Sequence, residues 1–192
     1  MSHKVLYFGY GANRDPKMIA AIVGKPESEL VGRPATLEGY SLGVQRLDQI
    51  PDITIPKAPA PISARDLLKE SWDETFTSYV IKQDREGKVS GTIWELTPDE
   101  RERIRDWELI DFGWYEDCEG LAKTPEGEEI PIITERLGSG QQIDREVDGI
   151  HYETWLNDPA RFEIVAEKAR QEYDERLKGP EGSTAHPDIK QS

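Results

Sequence analysis

Short runs of apolar and β-branched residues recur along most of the chain, which is typical of β-strands. Lys4–Tyr10, KVLYFGY, stops at a glycine-containing turn and predicts a buried first strand. Thr36–Arg46 alternates without a breaker and predicts a long second strand. Two further pairs of runs predict hairpins, Thr75–Gln83 with Lys88–Leu96 and Trp114–Lys123 with Glu129–Arg136. Strands therefore dominate the predicted core.

Helical signals lie between and after these runs. Asp15 before Pro16 predicts a capped helix start, and Ser63 predicts the cap of a short helix within Ile62–Trp72. From Asp158 to Lys178, apolar residues fall on one stripe at helical spacing, and these are Phe162, Val165, Ala169 and Tyr173. This last helix should pack on the body of the domain or on a partner, so a homodimer is left open.

The length of 192 residues predicts a single domain, which we place at residues 1–178. Residues 179–192 contain Gly, Pro, Ser and Gln with little to bury, and predict a disordered tail. The segment Gln49–Pro61 carries four prolines, which remove backbone donors and fix φ, so it predicts a surface loop and not a strand.

The net charge of −14 argues against long-range attraction to nucleic acid or to an anionic membrane surface. Small polar molecules or proteins are better partners. No apolar run reaches the length of a bilayer span and the first residues show no secretory signal pattern, so we expect a cytoplasmic protein. Cys118 is the single cysteine and the three histidines show no metal-ligand spacing, so we expect neither a disulfide nor a metal.

The first candidate for chemistry is the loop Gly9-Tyr10-Gly11-Ala12-Asn13. It places two glycines where a strand turns into a helix, so consecutive main-chain N–H groups can point at one anion. A small carboxylate would fit such a loop. The alternative is a glycine turn required only for its geometry.

The second candidate is a glutamate near the end of a predicted helix. Thr97 and Glu100 match a capping box that starts this helix. Continuing it places Glu108 four residues after Ile104, on the face that Ile104 would bury. Burial would raise the pKa of Glu108 towards the range of an acid/base catalyst. In the alternative, the helix ends earlier and Glu108 only pairs with Arg105 or solvent.

Both segments resemble the gamma-glutamylcyclotransferase family. YFGYGAN, Tyr7–Asn13, is similar to the family's strand into Tyr-Gly-Ser-Asn, and VSGTIWELTPDERERIRDWE, Val89–Glu108, is similar to its strand and helix ending at the catalytic glutamate. Here Ala12 replaces the serine, and Leu109 stands where a glycine usually follows the glutamate. Residues 48–72, with their prolines, are interpreted as an insertion.

The resemblance implies an α+β fold, a small mixed β-barrel with flanking helices, with which the predicted strands agree. It also implies a cofactor-free enzyme that cyclises a γ-glutamyl amide to 5-oxoproline, with Glu108 as general acid and base. The implied substrate-binding residues are Tyr10, Gly11, Ala12, Asn13, Tyr115 and Arg46. The alternatives are a non-catalytic binding or regulatory domain of the same fold, and an interaction protein that uses its acidic surface and last helix.

Overall fold

The strands of the protein close into a mixed barrel. The structure is a computed structural model that describes residues 3–183. Its barrel strands are β1 Val5–Gly9, β2 Gly32–Arg46, β3 Thr77–Leu96, β4 Tyr115–Lys123 and β5 Glu129–Leu137. They are ordered β3-β1-β5-β4-β2 and closed by pairing of β2 with β3, and every pair is antiparallel except β1 with β5. A short strand, β6 Arg145–Val147, pairs antiparallel with β2. The predicted α+β barrel is confirmed.

The helices lie around this barrel, at α1 Pro16–Val23, α2 Ala64–Ser71, α3 Pro98–Trp107 and α4 Pro159–Ser183. Their starts follow the predicted caps. The side chains of Asp15 and Ser63 accept from main-chain N–H groups at 2.8 and 3.1 Å. At α3, Thr97 Oγ1 accepts from Glu100 N at 3.1 Å while Glu100 Oε1 accepts from Thr97 N at 2.9 Å. This reciprocal box satisfies two N–H groups that the first helical turn leaves unpaired.

The predicted hairpin between Thr75–Gln83 and Lys88–Leu96 is wrong. Both runs belong to the single strand β3 and pair with β2 instead of with each other. The register moves from Glu38 opposite Lys88 to Tyr40 opposite Gln83, so residues 84–87 lie opposite Gly39 alone. The polar segment therefore forms a bulge that bends the strand and does not reverse the chain. The second predicted hairpin, β4 with β5, is confirmed.

Two apolar clusters hold the fold together. One is built by strand residues and includes Phe8, Leu37, Leu42, Ile81 and Ile93. The other joins the barrel to the helices and includes Met18, Ile19, Leu96, Ile104 and Phe112. Deep burial of such side chains supplies most of the driving force for folding.

The last helix, α4, packs on the body of the domain. Its Phe162 and Val165 are buried, as the predicted stripe requires. Arg170 Nη1 donates to Ala21 O at 3.0 Å, which ties α4 to α1. Gly179, with φ 47°, interrupts the helical geometry. Residues 179–183 of the predicted disordered tail belong to α4, and residues 184–192 lie outside the described residues. Among residues 3–183, every helix is too short or too polar to traverse a bilayer.

Candidate active site

A cavity of about 110 Å³ lies between the barrel and the helices. Its walls come from the loop after β1, the last turn of α3, the start of β3, β4, β5, α2, α4 and the side chains of Thr154, Leu156 and Asn157. It brings together six of the seven site residues expected from the sequence, namely Tyr10, Gly11, Ala12, Asn13, Glu108 and Tyr115. Segments far apart in the chain therefore meet at one place.

Arg46, the seventh expected residue, lies outside this cavity. Its guanidinium is half-exposed and pairs with Asp48 at 3.0 Å and with Asp144. Its main-chain N–H donates to Gln49 Oε1 at 2.9 Å, in the turn that follows β2. We therefore correct the prediction: Arg46 is a surface residue that stabilises the end of a strand, and it has no place in the candidate site.

Glu108 ends helix α3 at the wall of the cavity. Its N–H donates to Ile104 O at 2.9 Å, so the helix reaches it as predicted, and Arg105 pairs elsewhere, with Glu102, Asp111 and Asp117. The Glu108 side chain is buried, and its Oε1 accepts from Asn13 Nδ2 at 2.7 Å. The alternative of an early helix end with a solvated Glu108 is wrong.

Leu109, directly after Glu108, adopts a left-handed conformation with φ 54°. It is the one non-glycine residue with positive φ in the part of the chain that the structure describes. Glycine takes this conformation without steric cost, whereas a residue with a Cβ does not. Leucine at this position stores about 1–3 kcal/mol of strain, and burial of its side chain in the core offsets that strain.

A chain of buried polar contacts leads from Glu108 to the other side of the barrel. The second N–H of the Asn13 amide donates to Tyr7 Oη at 2.9 Å, and the Tyr7 hydroxyl donates to Glu135 Oε2 at 2.7 Å. Arg101 Nη1 lies 3.4 Å from the other oxygen, Glu135 Oε1. All five side chains are buried. Asn13 therefore uses both amide N–H groups to hold Glu108 and Tyr7 in place.

This network affects the pKa values of its two buried carboxyl groups, Glu108 and Glu135, differently. Burial raises the pKa of Glu108 well above 4.5, and the nearby Glu135 carboxylate adds to the rise. Burial also raises the pKa of Glu135, while Arg101 and the Tyr7 hydroxyl oppose that rise by stabilising its ionised form. Arg101 and the Tyr7 hydroxyl therefore favour the negative charge on Glu135, while the pKa of Glu108 is held well above the ordinary glutamate value.

The main-chain N–H groups of the loop are less available than the sequence suggested. Gly11 N–H donates to Tyr152 Oη at 3.1 Å, and Asn13 N–H donates to Tyr10 O at 3.1 Å. Of the N–H groups of Gly11, Ala12 and Asn13, only that of Ala12 has no acceptor within the described residues. The expected cradle of three free donors is therefore corrected to one, unless a ligand displaces the Tyr152 hydroxyl.

Gly11 is required by the backbone as well as by its position in the cavity. It has φ +62°, and a Cβ there would lie 2.9 Å from Tyr79 Cδ2. Gly11→Ala is therefore expected to lower the free energy of unfolding by about 2–3 kcal/mol, from conformational strain plus the clash. Urea unfolding followed by circular dichroism measures the loss.

Gly127→Ala is the matched control, because Gly127 has φ +91° with nothing within 4 Å of the added Cβ. It isolates the conformational cost, about 1 kcal/mol. Equal losses in the two variants would contradict the close contact with Tyr79.

Tyr10 and Tyr115 form fixed walls of the cavity. Tyr10 Oη donates to Glu135 O at 2.9 Å, and Tyr115 Oη lies 2.7 Å from Tyr79 O and 2.8 Å from Ser78 Oγ. Burial raises the pKa of both phenols well above 10.0, so both stay neutral. They orient the pocket and do not exchange protons in the neutral pH range.

The sequence did not predict that Tyr7, Glu135 and Arg101 belong to this network. Tyr7 was part of the quoted motif, but only as a strand residue. Glu135 follows the buried Thr134 in β5, so simple alternation places it on the outer face of the barrel. Helix α3 covers that face with Arg101, a tertiary contact that carries no local signal in the sequence.

The comparison with solved structures shows the fold of this chain. No protein-family model and no curated protein matches this sequence. A solved structure described as a gamma-glutamyl cyclotransferase aligns with a TM-score of 0.55 and 17% identity, over 92% of this chain and 88% of its own. An uncharacterized protein from Homo sapiens aligns with a TM-score of 0.52 and 17% identity, over 92% and 87%. The chain therefore has the gamma-glutamyl cyclotransferase fold.

Proposed function

We propose that this protein is a gamma-glutamylcyclotransferase-like enzyme that converts a γ-glutamyl amide into 5-oxoproline and a free amine. The observation that supports it best is the Glu108 carboxyl, buried at the cavity wall, held by Asn13 and raised in pKa. The shared fold is consistent with this activity. We expect it to work in the cytoplasm, where a free thiol such as that of Cys118 persists.

The reaction needs a folded substrate and a movable proton. The α-nitrogen attacks the γ-carbonyl carbon, a C–N bond forms, and the bond to the leaving nitrogen breaks. Ionised Glu108 takes a proton from the α-ammonium group and returns it to the leaving nitrogen, and the second proton lost by the ammonium group also ends on the released amine. Because attacker and target belong to one molecule, holding the cyclic conformer supplies much of the acceleration.

Asn13 keeps this proton exchange in one geometry. Its amide donates to Glu108 Oε1, which leaves the other carboxyl oxygen for the substrate. The α-carboxylate of the substrate is assigned to the Ala12 N–H, close to the start of α1, where the helix dipole favours an anion. The substrate carboxylate accepts a second hydrogen bond, from the Gly11 N–H, when it replaces the Tyr152 hydroxyl.

The test is a panel of γ-glutamyl amino acids and γ-glutamyl amines, followed by chromatography of the products. We expect equimolar 5-oxoproline and amine from at least one of them. Binding of these compounds without any product would instead indicate a non-catalytic binding domain of the same fold. The absence of both binding and product formation for every compound of the panel would contradict the proposed function.

A further inference from the structure

One side of the cavity is a continuous group of aromatic rings, which we call the aromatic wall: Trp72, Phe76, Trp107, Trp114 and Phe162. The ring centroids of Trp72 lie 4.8 Å from Phe162 and 5.4 Å from Phe76. Phe76 and Trp114 are 6.2 Å apart, as are Trp107 and Phe162. These distances are those of mutually packed rings, so the wall is one apolar surface.

The aromatic wall begins beside the proposed acid/base. Trp114 stacks on Tyr115 with ring centroids 4.1 Å apart. Tyr115 in turn lines the same cavity as Glu108, and the Glu108 carboxylate adds to the raised pKa of the phenol. A leaving nitrogen that receives its proton from Glu108 would therefore project its substituent towards the wall.

Among the described residues that line the cavity, there is no buried cation to hold a carboxylate on that substituent. Arg101 is buried but lies outside the lining, and it pairs with Glu135. Arg176 lines the cavity and pairs with Asp106. Lys168 is an exposed residue of α4. A charged leaving group would lose its hydration beside the rings without a compensating partner.

We infer that the aromatic wall is the subsite for the leaving amine, and that the preferred substrates are γ-glutamyl amides of uncharged aromatic or large aliphatic amines. The inference rests on the proposed function. It adds the substrate class. The polar loop at the opposite side then receives the charged glutamyl part.

The test compares kcat/KM for γ-glutamylphenethylamide with kcat/KM for γ-glutamylglycine. We expect the first to be larger by at least about tenfold, the scale on which an apolar pocket discriminates. Trp107→Leu removes a half-buried ring of the wall and should lower this ratio by about fivefold. Trp155→Leu is the matched control, because Trp155 packs on the same Phe162 at 5.2 Å but does not line the cavity. It should leave the ratio unchanged.

The outcomes separate the two proposals. A ratio of one or less with clear turnover would overturn the aromatic subsite and leave the proposed function standing. Equal changes in the two tryptophan variants would overturn the subsite as well. If neither amide yields 5-oxoproline, calorimetry with γ-glutamylphenethylamide decides. Binding that weakens in Trp107→Leu but not in Trp155→Leu supports the subsite without the enzyme, and no binding overturns both.

Discussion

Replacing Glu108 with glutamine is expected to lower kcat for 5-oxoproline formation at least about a hundredfold, the usual scale for a lost acid/base group. Glutamine keeps the size of the side chain and an oxygen that can accept from Asn13 Nδ2, but it cannot take a proton from the substrate. KM should change much less than kcat. Steady-state assays with the best amide of the panel measure both.

Glu102→Gln is the matched control, since Glu102 lies on the exposed side of the same helix and pairs with Arg105. Its kcat should equal that of the parent. Glu108→Gln should also be at least as stable as the parent at neutral pH. The raised pKa of Glu108 adds stability at acid pH that is lost as the pH rises through that pKa, and glutamine cannot ionise. Unchanged turnover in the folded variant would remove Glu108 from the mechanism.

Arg101→Met is expected to lower the free energy of unfolding by about 3–5 kcal/mol at neutral pH, because it leaves the buried Glu135 carboxylate without its cation. The guanidinium also lies over the Tyr7 ring, 5.0 Å from its centroid, so packing is lost as well. Chemical unfolding at several pH values measures the change.

The double variant Arg101→Met with Glu135→Gln is the control that separates charge from packing. Removing the carboxylate should restore a large part of the lost stability. In the single variant the pKa of Glu135 rises further, since the cation that opposed the rise is gone. Stability present at acid pH is then lost as the pH rises through that pKa, so the deficit should shrink as the pH falls. A deficit independent of pH, with no recovery in the double variant, would contradict the ion pair.

Local signals were sufficient for the parts of the site that depend on one segment. The Thr97–Glu100 box fixed the start of α3, and counting along that helix placed Glu108 on the buried face beside Ile104. The glycine loop was recognised from its two glycines between a strand and a helix start, and the positive φ of Gly11 gives the physical reason for one of them.

Features that depend on contacts between segments far apart in the chain could not be predicted from the sequence. The polar segment 84–87 resembles a turn, but β2 offers one long partner to both halves of β3, and that pairing overrides the local signal. Arg46 was only a candidate substrate-binding residue, and its pairing with the distant Asp144 leaves no local signal in the sequence. The aromatic wall needs Trp72 and Phe76, which follow α2, to meet Phe162 of α4 in space.

The pH dependence of kcat/KM for a γ-glutamyl amide tests the central claim most directly, because it reports the ionisation of the free enzyme's essential base. The substrate's ammonium group must give its proton to ionised Glu108, so activity should rise with pH through the pKa of that carboxyl. We expect an acid limb with its midpoint well above the ordinary glutamate value of 4.5, and we expect this limb to be absent from the residual activity of Glu108→Gln. A limb at about the ordinary glutamate value, or one that survives in Glu108→Gln, would contradict it.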